Sequence, residues 1–138
     1  MERKLLFVFV VIAVSLGILF FNLPTVDAQE CQVITIQDGE NSITLHPGTV
    51  TISKGTCVIW VNWSTTTDVK IAFGQGKVCE DVVEASIDFK LDKDNCFISD
   101  LIISKGGTAS LVYGKEGSFD YAAKPNKGEE VNGKIIVQ

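Results

Sequence analysis

The chain has 138 residues, 21% of them charged, and a formal net charge of −5 at pH 7. That length supports one domain and not two of ordinary size. Glu2, Arg3, Lys4 and Asp27 precede Gln29, which leaves 15 of the 17 acidic residues and 10 of the 12 basic ones, all lysine, beyond it. Nucleic acid and anionic lipid both reward clustered cationic side chains, so both are excluded as main partners.

The first residues read as a targeting segment. Met1-Glu2-Arg3-Lys4 is a charged leader, Leu5 to Phe21 is an apolar run, and Val26-Asp27-Ala28 is a small-residue cleavage pattern. Residues 1–28 are therefore expected to form a signal peptide helix cut after Ala28, leaving 29–138 as a domain outside the cytoplasm, secreted or periplasmic, with no membrane insertion after cleavage. An uncleaved anchor is the competing reading, at the short limit of a bilayer span. Cys31 follows Gln-Glu, which is not a lipoprotein signal.

From Cys31 onward the apolar period is two. Gln32 to Ile36 forms a strand closed by Asp38-Gly39, Ile43 to Leu45 leads into the His46-Pro47-Gly48 turn, and Val50 to Ile52 follows. Cys57 to Asn62 is apolar enough for a central strand with Trp60 in the core, and Val69 to Phe73 alternates cleanly. Residues 77–106 form a longer acidic insertion in which Ile87, Phe89 and Leu91 alternate with Asp88 and Lys90 as one half-buried strand. Thr108 to Tyr113, Ser118 to Ala123 and Gly133 to Val137 complete the set. Seven to eight short strands punctuated by glycine predict an all-β sandwich.

Four cysteines in a small exported domain read as two disulfides with three possible connectivities. A zinc site lacks Cys-x-x-Cys pairs and His partners.

Thr49 to Thr56 with Val58-Ile59-Trp60-Val61-Asn62, then Gly107 to Tyr113 with Gly117-Ser118-Phe119-Asp120-Tyr121, then Gly133 to Val137, stand in one order at suitable spacing. Together they resemble the cupredoxins, the blue-copper proteins of the plastocyanin type, over about 90 residues. The resemblance implies a Greek-key β-sandwich. It also assigns the copper ligands: the first His position falls on Val69, the Cys on Ala123, the second His on Asn126 and the Met on Val131. A blue-copper centre takes two imidazoles and a thiolate, and beyond Gln29 there is one His and no Met. No cofactor and no metal is therefore expected, and the lapsed site is expected to be apolar and dry. The family's parallel first and "VxWxN" strands imply Cys31–Cys57, which leaves Cys79–Cys96 to staple the insertion.

His46 reads as a surface turn residue. The insertion's Glu80, Asp81, Glu84, Asp88, Asp92, Asp94 and Asp100 form a solvated acidic face, a weak calcium site or a docking surface for a basic protein at Glu80, Asp81 and Glu84, with docking ranked above calcium. Trp63, just past its strand, is expected to stand exposed as a contact beside the lapsed site, and Asn62-Trp63-Ser64 is a glycosylation sequon. No acid–base pair or nucleophile motif supports an enzyme. The expected function is a non-enzymatic binding or structural module whose partner is another extracytoplasmic protein. The alternative is an accessory role in electron transfer or copper handling.

Overall fold

The computed structural model describes residues 30–73, 82–93 and 96–138. Those residues hold eleven strands: β1 Cys31–Asp38, β2 Ile43–His46, β3 Thr49–Ile52, β4 Cys57–Asn62, β5 Val69–Phe73, β6 Val83–Ile87, β7 Phe89–Leu91, β8 Phe97–Ser99, β9 Gly107–Tyr113, β10 Gly117–Pro125 and β11 Val131–Val137. They form a five-stranded sheet in the order β2-β1-β4-β9-β6 and a six-stranded sheet in the order β3-β11-β10-β5-β8-β7. The fold is the expected all-β, cupredoxin-like sandwich.

Alternation places one side chain of each pair in the core. Ile34 and Ile36 of β1, Val58 and Trp60 of β4, Val69 and Ile71 of β5 and Ile135 of β11 are all fully buried. Strands β1 and β4 run parallel, with Ile34 beside Trp60 and Cys31 beside Cys57. The disulfide implied by the resemblance closes there, between Cys31 and Cys57. Trp60 anchors the middle of the core, with ring centroids 5.5 Å from Tyr121 and 5.6 Å from Phe89.

Eleven strands stand where seven or eight were expected, and within the acidic stretch three of them, β6, β7 and β8, replace the single strand expected there. Residues 87–91 do not form one strand. Asp88 adopts a left-handed φ of 61°, so β6 pairs with β9 in one sheet while β7 pairs with β8 in the other. The crossing turns Phe89 inward against Trp60 and leaves Ile87 65% exposed. The insertion is thus an edge of both sheets, and Val82, Ser99 and Ile102 from it are buried. Cys96 is buried as well; Cys79, its expected partner, lies outside the described residues.

Candidate functional site

The four positions assigned to copper ligands come together at one end of the sandwich. Val69 opens β5 and is held by a pair of backbone hydrogen bonds with Ile102, at 3.0 and 2.8 Å. Ala123 lies opposite Ile71 on β5 and opposite Val131 on β11. Val69 and Ala123 are completely buried, and the half-buried Val131 packs against the same core. Asn126 follows β10 in an exposed turn, where its backbone N–H donates to the Asp68 carbonyl at 3.0 Å. Hydrocarbon from three strands meets where the resemblance places a metal.

The loop beside these residues is built on two polar side chains. Asn62 is fully buried and donates from Nδ2 to the carbonyls of Thr67 and Ile102, both at 3.0 Å, while its Oδ1 accepts from the Ser64 N–H at 3.0 Å. Asp38, at the end of β1, accepts from the Ser64 hydroxyl, the Thr65 N–H at 2.9 Å and the Thr65 and Thr66 hydroxyls, both at 2.7 Å. The Ser64 hydroxyl first, then the Thr65 N–H and the two threonine hydroxyls, hold the Asp38 carboxyl well below the usual carboxylate range. This knot fixes the loop through which Trp63 projects. Its tie is Asp38, which carried no motif and was missed; Asn62 stood out as the end of the "VxWxN" strand and, with Ser64, as a sequon whose Asn and Ser are both buried.

Trp63 is 55% exposed. It lies beside Gly106, whose φ is +113° and whose added Cβ would sit 3.4 Å from the indole. Next to it, Leu101 and Ile103, 40% and 61% exposed, line an open cleft of about 330 Å³ bordered by Asp88 and Asp100. Leu101 and Ile103 were also missed, because they follow no alternating run. Of the acidic residues expected to dock a partner, Glu80 and Asp81 lie outside the described residues. Glu84 is exposed in the β6 irregularity, folded over Gly114. Gly114 and Gly106 flank opposite ends of β9, so Glu84 and Trp63 lie about 25 Å apart and share no patch. His46 is exposed at the end of β2.

The chain from residue 30 to residue 138 matches the model of copper binding proteins, plastocyanin/azurin family. The chain belongs to that family. Among solved structures, this plastocyanin/azurin family member is similar to amicyanin. The Cu(I) form of a methionine-to-alanine amicyanin mutant matches at 15% identity, TM-score 0.51, over 80% of this chain and 85% of that one. The oxidized state of a proline-to-alanine mutant matches at 16% identity and a reduced tryptophan-to-tyrosine mutant at 14%, with the same TM-score and coverages. At these identities the likeness speaks for the fold alone. No curated protein matches the chain.

The family's metal is copper, and the residues at the four positions do not fit it. Two valines and an alanine donate nothing, and one exposed amide cannot replace two imidazoles and a thiolate. Among the described residues no three His, Cys, Asp or Glu side chains gather to hold a metal ion.

Proposed function

We propose that this family member is an exported, non-enzymatic binding module in which the copper position has become core. The observation that carries this reading is the complete burial of Val69 and Ala123 on adjacent strands, with Val131 opposite Ala123. A copper ligand has to present a nitrogen or sulfur donor to the metal; these three side chains have none and contribute apolar packing instead. The binding surface is the end of the sandwich at Trp63, where exposed apolar side chains stand beside carboxylates of the insertion. Such a surface suits an extracytoplasmic protein that presents an apolar side chain flanked by lysine or arginine.

Two measurements on the protein isolated as the cell processes it test this. Copper titration is expected to yield neither stoichiometric metal by native mass spectrometry nor the intense visible band of a copper–thiolate centre. A coloured, one-to-one copper complex overturns the reading in favour of electron transfer or copper handling, which family membership by itself favours. Affinity capture from the exported fraction is expected to recover a basic partner whose binding weakens with salt and with Trp63→Ala. Capture unaffected by both removes Trp63 from the site.

A further inference from the structure

The outer faces of the two sheets differ in charge. On the six-stranded sheet, Lys134 pairs with Asp120 at 3.0 Å and Lys124 with Glu130 at 3.5 Å. On the five-stranded sheet, the outward side chains set by the register carry no charge from β2 to β9. The one acidic residue on β6 whose side chain is near, Glu84, folds over Gly114 at the strand end. A single register row crosses four strands of that face: Val33 beside Ile59, Ile59 beside Ser110, Ser110 beside Ile87. Its two ends are the most exposed, Val33 at 41% and Ile87 at 65%. Val61 and Val112 flank the row, half-buried. A soluble sandwich normally spends charge on such a face, and an uncharged apolar one marks a contact surface.

The arrangement is also self-complementary. Val33 and Ile87 sit at equal distances on either side of the gap between β4 and β9. A two-fold axis along the strands in that gap lays Val33 of one copy on Ile87 of the other, and Ile59 on Ser110. We propose that this face joins two copies of the chain, sheet against sheet, about that axis.

Charge and area both favour a second copy as the occupant. Each chain carries a net charge of −5, so two copies repel wherever charged surface faces charged surface. The neutral face is the one along which they meet without placing carboxylates together. An anionic membrane is repelled by the same charge, and a basic partner finds no carboxylate on this face to recognise. Five strands about 4.8 Å apart and about 20 Å long give a flat footprint of roughly 480 Å² per copy. Two copies together then bury roughly 1,000 Å², the lower limit of a specific interface, which corresponds to a reversible dimer. Salt screens the residual repulsion, so the dimer strengthens as ionic strength rises. That is the opposite sign from docking of a basic protein at Trp63, and the two interactions are separable on that ground.

Sedimentation velocity on the native protein, isolated as the cell processes it, reads the result across concentration at low and high sodium chloride. A monomer–dimer equilibrium that shifts toward dimer with salt is expected. Val33→Lys and Ile87→Asp, both at exposed positions and expected to leave the melting temperature unchanged, should each weaken dimerisation by roughly tenfold or more, because each buries one charge against an aliphatic group. Combining the two in one chain should restore it, since the two-fold brings the opposite charges together. A monomer under every condition overturns the proposal, as does a dimer indifferent to both single variants. A double variant that stays dissociated overturns the two-fold arrangement. A monomer that co-sediments with zwitterionic lipid vesicles assigns the face to a membrane and overturns it as well.

Discussion

Tyr121 and Gly133 face each other across β10 and β11, and a Cβ added at Gly133 would fall 2.3 Å from the tyrosine hydroxyl and 2.2 Å from its ring. The phenol, packed against Trp60, occupies the space that a side chain at position 133 would take. Burial drives the Tyr121 pKa up to about 12, against the pull of the Trp60 indole. Gly133→Ala therefore has to push a rigid ring into a packed core, and should cost on the order of 1–3 kcal/mol or more. Gly48→Ala, whose nearest atom would be the Leu45 carbonyl at 3.9 Å, should be close to neutral. Urea unfolding of both variants checks the contrast; equal small losses would show that β11 shifts freely.

Burial of Val69, one of the positions that the resemblance assigns to a copper ligand, has a direct energetic consequence. If Val69 is core, Val69→Ala removes two methyl groups from a site with no solvent access and should cost roughly 2 kcal/mol. If instead the position lined an open pocket, water would fill the gap and the loss would be a few tenths. Chemical unfolding at constant m-value separates the outcomes. The same experiment at exposed Asn126, as Asn126→Ala, should leave stability almost unchanged.

How much of this was legible without coordinates depended on whether a residue's neighbours are local. Strands β4, β9, β10 and β11 announced themselves, because alternation of Val58 and Trp60, or of Phe119, Tyr121 and Ala123, needs only one buried face. The Cys31–Cys57 bridge came from a strand pairing that the family resemblance supplied. The switch at Asp88 did not show, since alternation through Ile87, Phe89 and Leu91 reads the same whether one sheet continues or the chain crosses to another. Only a left-handed φ distinguishes them, and Asp tolerates it without a signature as strong as glycine's. The uncharged face was equally hidden. Val33, Ile59, Ser110 and Ile87 are far apart in sequence and form a row only once the register is known.

The disulfide closes a separation of 26 residues between two neighbouring parallel strands. In the chain-entropy description a loop of that length is worth about 3.5 kcal/mol at 25 °C. The double variant Cys31→Ser with Cys57→Ser should lose about that much, seen as a lower denaturation midpoint with the secondary structure retained under native conditions. A loss below 1 kcal/mol would mean that β1 is held by its pairing with β4 and β2 alone.

Asn62 heads a sequon, yet its amide is the least available group at this end of the molecule. Both of its N–H donors serve carbonyls, of Thr67 and Ile102, and the side chain is fully buried. A glycan there would break both bonds and open the loop that carries Trp63. Protein secreted in folded form from a glycosylating host should therefore show no mass change on enzymatic deglycosylation. Asn62→Ala leaves the Thr67 carbonyl and the Ser64 N–H without their partner and takes one of the two bonds from the Ile102 carbonyl, which keeps the Val69 N–H, and should destabilise by about 2 kcal/mol.

Asp38 supplies the pH dependence of the same loop. Its carboxylate accepts four hydrogen bonds from residues 64–66, so its folded-state pKa lies well below the unfolded value near 4. For a depressed carboxylate the unfolded chain binds the proton first as pH falls. The stabilisation is thus fully present above about pH 5, erodes as pH drops through 4, and is gone once the folded state itself is protonated. Asp38→Asn removes the charge at every pH, so the variant should melt lower than the parent at pH 7 while the two curves converge toward pH 2. Melting temperatures followed by circular dichroism from pH 7 to pH 2 test this, and parallel curves for parent and variant would show that the Ser64, Thr65 and Thr66 bonds do not favour the ionised form.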